Sequence, residues 1–191
     1  MTRTTTLVCR RTMSAAICLL LGAGAHGKGE LTQIDACALL TAAEVSRVIG
    51  QPVDDGERRD EGHQPDGSYS SSCVWTVQRD ESIPENPAAP LGGRSFVILN
   101  AMQWPAGSGL ARTFLEAFHA AAEKGDIPSQ PAPRDFGDEA LWWGDGLAVR
   151  TSDVSFGVSV FVPERKAKPP GFFEERLAPF ILRRVSNQNR V

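Results

Sequence analysis

Cys37 and Cys73 constrain the fold more than any other feature of this sequence. A bond between them closes a loop of about 37 residues, which on the chain-entropy description stabilises the folded state by about 4 kcal/mol. The other two cysteines, Cys9 and Cys18, fall inside a predicted leader. An even pair left in an exported domain is typical of a disulfide, and the alternative is two free buried thiols.

The leader is predicted at residues 1–25, where the sequence has the three parts of a secretory signal peptide. A basic start without acidic residues precedes an apolar run, and Ala23-Gly24-Ala25 provides a cleavage site after Ala25. That run is shorter than the roughly 20 residues that span a bilayer, so we predict no membrane span. We therefore predict a periplasmic or secreted protein whose residues 26–34 form a flexible segment.

Two further features limit the partners. Cys18 follows Ile17 instead of the small residue that a bacterial lipoprotein signal requires, so we do not expect a lipid anchor. All 23 acidic residues follow Ala25 but three of the 20 lysines and arginines precede it, which gives the mature chain a formal charge of −6. That sign disfavours nucleic acid as a partner. Arg165, Lys166 and Lys168 form the only dense basic cluster, and it is too short to indicate a membrane surface.

The hydrophobic pattern predicts one α+β domain at residues 35–186, with an antiparallel sheet flanked by helices. Thr41 and Glu44 form a capping box that begins the first helix, and Gly50 ends it. The predicted order is α-β-β-α-β-β-β-α, with strands at 73–78, 95–102, 140–143, 147–151 and 154–162, helices at 109–124 and from about 171, and mobile loops at 53–72 and 80–94. The short polar gaps between the last three strands predict hairpins.

Three details of these elements can be compared with a structure. In 154–162, valines and Phe156 alternate with smaller residues, which predicts one strongly buried face. In 109–124, the predicted core stripe consists of Leu110, Phe114, Ala117, Phe118 and Ala121. In the last helix, Pro179 removes a backbone donor and is expected to kink or end the helix.

Several short motifs stand out in the sequence. They are Asp35-Ala36-Cys37-Ala38-Leu39-Leu40-Thr41 with Glu44-Val45, Cys73-Val74-Trp75, Phe136-Gly137-Asp138-Glu139-Ala140 and the strands from Trp142 to Val162. Together they resemble a family of small secreted bacterial proteins and lipoproteins with a domain of unknown function. The resemblance covers most of residues 35–185 and implies a PsbP-like α/β/α sandwich in the cell envelope, with no assigned reaction. Many members carry a lipoprotein cysteine, and this chain has none at the end of its leader.

The possible metal ligands are few. Glu116, His119 and Glu123 lie close together on the predicted 109–124 helix, where Glu-x-x-His can ligate a metal. They face away from the predicted core stripe, so we interpret them as a solvated polar face. His63 lies among carboxylates in the 53–72 loop, which lacks a calcium-loop pattern and is also interpreted as solvated. No catalytic residues and no cofactor are predicted.

The tryptophans are the stronger candidates for a binding surface. Trp142 and Trp143 are neighbours in a strand, so their side chains point to opposite faces of the sheet. Trp104 lies in another connection, and an exposed tryptophan beside a groove suits ligand or protein binding. The alternative is that helices cover both Trp142 and Trp143.

These observations favour an exported, non-catalytic envelope or secreted protein that binds a protein or a small ligand. Two alternatives stay open. One is a metal-assisted enzyme that uses His63 or His119 with nearby carboxylates, and the other is a structural accessory subunit of an envelope complex.

Overall fold

A computed structural model describes residues 33–78, 93–127 and 130–188. The predicted leader, nearly all of the 26–34 segment and most of the predicted 80–94 loop lie outside these ranges. The helices are α1 Ala36–Leu39, α2 Ala42–Ile49, α3 Leu110–Lys124 and α4 Glu174–Gln188. The strands in the described ranges are β1 Glu57–Arg58, β2 Gly62–His63, β3 Tyr69–Thr76, β4 Phe96–Gln103, β5 Ala132–Arg134, β6 Glu139–Trp142, β7 Leu147–Thr151 and β8 Val154–Phe161, and a 3-10 helix spans Pro163–Ala167.

All eight strands belong to one antiparallel sheet with the order β1-β3-β4-β8-β7-β6-β5, and β2 pairs with β3 beside β1. β4 lies near the middle, where each of its residues has a register partner on both β3 and β8. The predicted hairpins joining β6, β7 and β8 are confirmed by their pairing. The α+β class is therefore confirmed, and the likeness to a PsbP-like fold stays a prediction.

The predicted element order missed α1, β1, β2 and β5, because each has only two to four residues and shows no periodicity. α1 exists because the Asp35 carboxylate caps it, accepting hydrogen bonds from the Cys37 and Ala38 amides. The predicted 53–72 loop contains β1, β2 and the first residues of β3. The sequence predicted a later start for β3 because Ser70, Ser71 and Ser72 are polar, yet Ser70 and Ser71 are buried.

One face of the sheet carries the main core, covered by α1, α2 and α4. The predicted buried face of β8 is confirmed, because Val154, Phe156, Val158 and Val160 are all buried in this core. α2 is N-capped by the predicted box, in which Thr41 Oγ1 accepts from the Glu44 amide and the Glu44 carboxylate accepts from the Thr41 amide. The local signals in the sequence thus place this layer correctly.

The opposite face is covered in part by α3, whose buried residues differ from the predicted stripe. Ala111 and Leu115 are buried, and Leu115 packs with Leu141 and Ala148 of the sheet. Phe114 and Phe118 pack beside them, but Ala117 is exposed. The buried residues Ala111 and Leu115 each lie one position after a predicted one, Leu110 and Phe114. Alanines occur on several sides of this helix, so a small apolar residue does not identify its buried side.

The predicted disulfide is confirmed: Cys37 of α1 bonds to Cys73 of β3, with their Cα atoms 5.1 Å apart. Cys73 is fully buried in the main core and Cys37 packs at its edge. The bond therefore joins the first helix to the sheet. A buried structural disulfide fits an oxidising, extracellular compartment.

An ion pair joins α2 to α4. The Arg184 guanidinium donates to both Glu44 carboxylate oxygens, at 2.8 and 2.9 Å, and its Nη1 also donates to the Leu39 carbonyl. Burial acts to raise the pKa of Glu44, but hydrogen bonds from Arg184 and Thr41 outweigh burial and hold that pKa below its ordinary value. This pair thus ties the N-terminal and C-terminal helices together.

Pro179 does not end α4, which was the wrong part of that prediction, because the helix continues to Gln188. Pro179 is exposed, so water can reach the carbonyl that its missing donor leaves without a partner. Leu177, Ala178 and Ile181 are fully buried against the sheet, and this packing offsets the local cost. None of the described helices is long and apolar enough to cross a bilayer.

Candidate functional site

A groove of about 740 Å³ opens where β4 begins and β8 ends, and we call it the strand-end groove. Its apolar lining includes three aromatic side chains. Its cationic lining comes from four side chains, three of them in and just after the 3-10 helix. The apolar residues are Phe96, Trp142, Phe161, Val162, Pro163 and Pro170, and the cationic residues are Arg94, Arg165, Lys166 and Lys168.

The aromatic wall of the groove follows from strand register. Phe96 is the first residue of β4 and Phe161 the last of β8, and the two are directly paired. Their ring centroids lie 4.7 Å apart. Phe161 is 37 % exposed, the only large hydrophobic side chain in the described ranges that is classed as exposed. Phe96 is half-buried. An aromatic pair with one exposed ring in a concave surface is a feature that ligand binding can use.

Arg165 is held at the centre of the groove. Its Cζ lies 5.3 Å from the ring centroid of Trp142 and 5.8 Å from that of Phe161, within cation–π range of both. Its Nη2 donates to the Gly144 carbonyl at 2.9 Å. The 3-10 helix and the β6–β7 turn therefore position this guanidinium before any ligand arrives.

Glu174, the first residue of α4, lies next to Arg165. It is 1 % exposed, and its Oε1 accepts a hydrogen bond from the Val160 amide. Val160 lies beyond Val158, the last residue of β8 that pairs with β7. The Arg165 Nε is 3.9 Å from the same oxygen. Burial raises the pKa of the Glu174 carboxyl, although the Val160 amide and Arg165 favour its ionised form.

This raised pKa predicts how a Glu174→Gln variant behaves with pH. The folded state holds the Glu174 proton more tightly than the unfolded state, so wild-type stability falls as pH rises through the ordinary carboxyl value of 4.5. Glutamine keeps an oxygen for the Val160 amide and does not titrate. We expect the stability of the variant relative to wild type to increase from about pH 3 to pH 7. Urea unfolding across this range measures it, and a pH-independent difference would contradict it.

The structure does not bring the three predicted tryptophans together. Trp142 lines the groove but is only 8 % exposed. Trp143 lies on the other face, where its ring stacks on Phe118 at 4.8 Å. Trp104 is 7 % exposed and its Nε1 donates to Ser155 Oγ at 2.8 Å. Of the three, only Trp142 reaches the groove, and its ring belongs mainly to the core.

The possible metal ligands do not form a site. Glu116, His119 and Glu123 are all exposed on α3, and no trio of histidine, cysteine or carboxylate side chains in the described part of the chain is arranged to hold a metal. His63 is exposed, with its ring centroid 5.1 Å from that of Tyr69 and its Nε2 3.2 Å from Gln33 Nε2.

Sequence reasoning missed Phe96 and Phe161 as site residues. The available signal was Phe161 itself, a large apolar residue on the otherwise small face of β8 that carries Ser155, Gly157 and Ser159. The basic cluster at Arg165, Lys166 and Lys168 was recognised but was considered only as a membrane contact. Phe161 and this cluster are close in the sequence, but only the pairing of β4 with β8 brings Phe96 to them.

A comparison of the chain with known protein families, with curated proteins and with solved structures gave no match.

Proposed function

We propose that this protein is an exported, non-catalytic binding protein whose small ligand occupies the strand-end groove. The proposal places it in the periplasm or outside the cell, after cleavage behind Ala25. The disulfide between Cys37 and Cys73 supports an oxidising location. The observation that carries the binding function is the Phe96–Phe161 pair, in which Phe161 is exposed and Phe96 half-buried, and which lines a concave surface beside a positioned guanidinium.

The dimensions and lining of the groove support a small ligand. Ligand sites are typically clefts of roughly 300 to 1,000 Å³, mostly apolar, with a few placed polar groups. The strand-end groove, at about 740 Å³, falls in this range. Covering the Phe161 ring removes apolar surface from water, which favours binding. Arg165 provides a fixed polar group that can orient what binds.

The groove presents binding groups rather than an acid–base pair. Glu174, the carboxylate beside Arg165, is buried and bonds to the Val160 amide, so it is not presented to a ligand. Both cysteines of the described ranges are bonded to each other and offer no thiol nucleophile. This arrangement favours binding over turnover.

The uncharged fluorescent probe N-phenyl-1-naphthylamine tests the proposal. We expect the mature protein to bind it with enhanced fluorescence, and a Phe161→Ala variant to bind it about tenfold more weakly. The reason is that one aromatic wall is lost, a contact worth about 1.4 kcal/mol. Fluorescence titration gives both dissociation constants.

Phe180→Ala is the matched control, because Phe180 is a half-buried phenylalanine on α4 that does not line the groove. Its affinity for the probe should equal that of wild type. Failure of the probe to bind, or equal weakening by the two variants, would contradict a ligand site at the strand-end groove.

A further inference from the structure

We infer that the ligand of the strand-end groove is a small amphipathic anion, in which one acidic head group is joined to an apolar body. The inference rests on the binding function proposed above and adds the chemical class of the ligand. It follows from the way the groove divides into a cationic part and an aromatic part.

The charge of the groove is opposite to that of the protein. Four cationic side chains line it and no carboxylate does, as far as the described residues show. The whole chain has a formal charge of −3. Lys166 and Lys168 are both exposed, with the Lys168 Nζ 5.0 Å from the ring centroid of Phe172, and Arg165 is held by the Gly144 carbonyl. A concentration of positive charge in an acidic protein raises the local concentration of small anions.

Arg165 retains the capacity to bind an anion. Of its donors, Nη2 is bonded to the Gly144 carbonyl within the described part of the chain. Arg165 also forms two long ion pairs, at 3.6 Å from Nη1 to Asp145 and at 3.9 Å from Nε to the buried Glu174, and both distances are too long for a good hydrogen bond. Guanidinium N–H groups pair well with the oxygens of carboxylate, sulfonate or phosphate.

The aromatic part distinguishes an amphipathic anion from a simple one. Phe96 and Phe161 lie next to the cations, with the Arg165 Cζ only 5.8 Å from the Phe161 ring centroid. A small inorganic anion would leave this ring exposed, and an uncharged apolar ligand would make no use of the positive charges of Arg165 and Lys166. An acidic head on an apolar body satisfies both parts at once.

Two probes that differ by one charged group test this inference. 1-Anilinonaphthalene-8-sulfonate has the rings of N-phenyl-1-naphthylamine and adds a single sulfonate. We expect the sulfonated probe to bind at least fivefold more tightly at about 50 mM NaCl, and this advantage to shrink at about 500 mM as salt screens the charges. The neutral probe should show little change with salt.

The double variant Lys166→Gln/Lys168→Gln should remove most of the preference for the sulfonate, measured as the ratio of the dissociation constants of the neutral and sulfonated probes. Each exposed lysine is expected to account for a factor of about two to five. Lys124→Gln is the matched control, since Lys124 is an exposed lysine at the end of α3 away from the groove. It should behave as wild type with both probes.

A competition experiment identifies the source of the anion. Sodium decanoate should displace the sulfonated probe, whereas sodium acetate at equal ionic strength should not, because acetate lacks the apolar body. Displacement by acetate as effectively as by decanoate would overturn the inference, as would displacement by phosphatidylglycerol vesicles but not by decanoate.

The outcomes separate the two proposals. Equal affinities for the neutral and sulfonated probes, or a preference that survives the double lysine variant, would overturn the anionic ligand and leave the binding function in place. Failure of the neutral probe to bind would remove the binding function itself.

Discussion

Replacing Cys37 with serine should lower the free energy of unfolding by about 4 kcal/mol, because the unfolded chain regains the entropy of an open loop. In a domain of this size, that loss should lower the thermal midpoint by about 10 °C. The structure strengthens this expectation, since Cys73 is fully buried and the bond ties α1 to β3. Thermal and urea unfolding of the mature protein measure the two quantities.

Reduced wild-type protein is the control for this variant. It should match Cys37→Ser in stability, because both proteins lack the disulfide. The comparison shows that the loss comes from the bond, since reduced wild-type protein still has the Cys37 side chain. Denatured mature protein without reductant should titrate no thiol, and the variant should titrate one, at Cys73. Two thiols in untreated mature protein would show that the bond does not form, and with it the argument for an oxidising compartment would fail.

Replacing Phe156 with alanine should cost about 3 to 5 kcal/mol, the usual penalty for removing a fully buried phenylalanine. Phe156 is 0 % exposed and lies between its register partners Ala101 of β4 and Val149 of β7. The main core would be left with a cavity in its centre. Urea unfolding with a two-state fit measures the loss of stability.

Phe161→Ala on the same strand is the control for Phe156→Ala. Phe161 is partly exposed on the other face, so its removal should cost only about 1 kcal/mol from lost contact with Phe96. The two phenylalanines should therefore separate stability from binding. Equal losses of stability in the two variants would show that the assignment of the β8 faces is wrong.

The parts of the fold that could be predicted depend on neighbouring residues. The capping box at Thr41 and Glu44 forms within one helical turn, and the alternation in β8 reports one buried face directly. The polar gaps between β6, β7 and β8 predicted the hairpins, because two strands joined by a short turn pair with each other in antiparallel orientation. Where a local signal was weak, as in α3, the prediction was right only in part: Phe114 and Phe118 pack against the sheet, but the buried Leu115 was missed.

The candidate site could not be predicted in the same way. Phe96 and Phe161 are far apart in the chain and meet only because β4 pairs with β8. Arg165 reaches Trp142 only because the 3-10 helix folds back toward the β6–β7 turn. The tryptophans were predicted as a surface from their residue type, and two of the three instead fill space away from the groove.

The cysteine pair, the start of α2 and the apolar face of β8 can be read from residue type and short-range spacing alone. The strand order, and with it the position of Phe96 beside Phe161 and Arg165 in one groove, emerges only when the chain is folded. Helix caps and strand alternation are set within a few residues. The pairing of distant strands is set instead by how the whole chain buries its apolar surface.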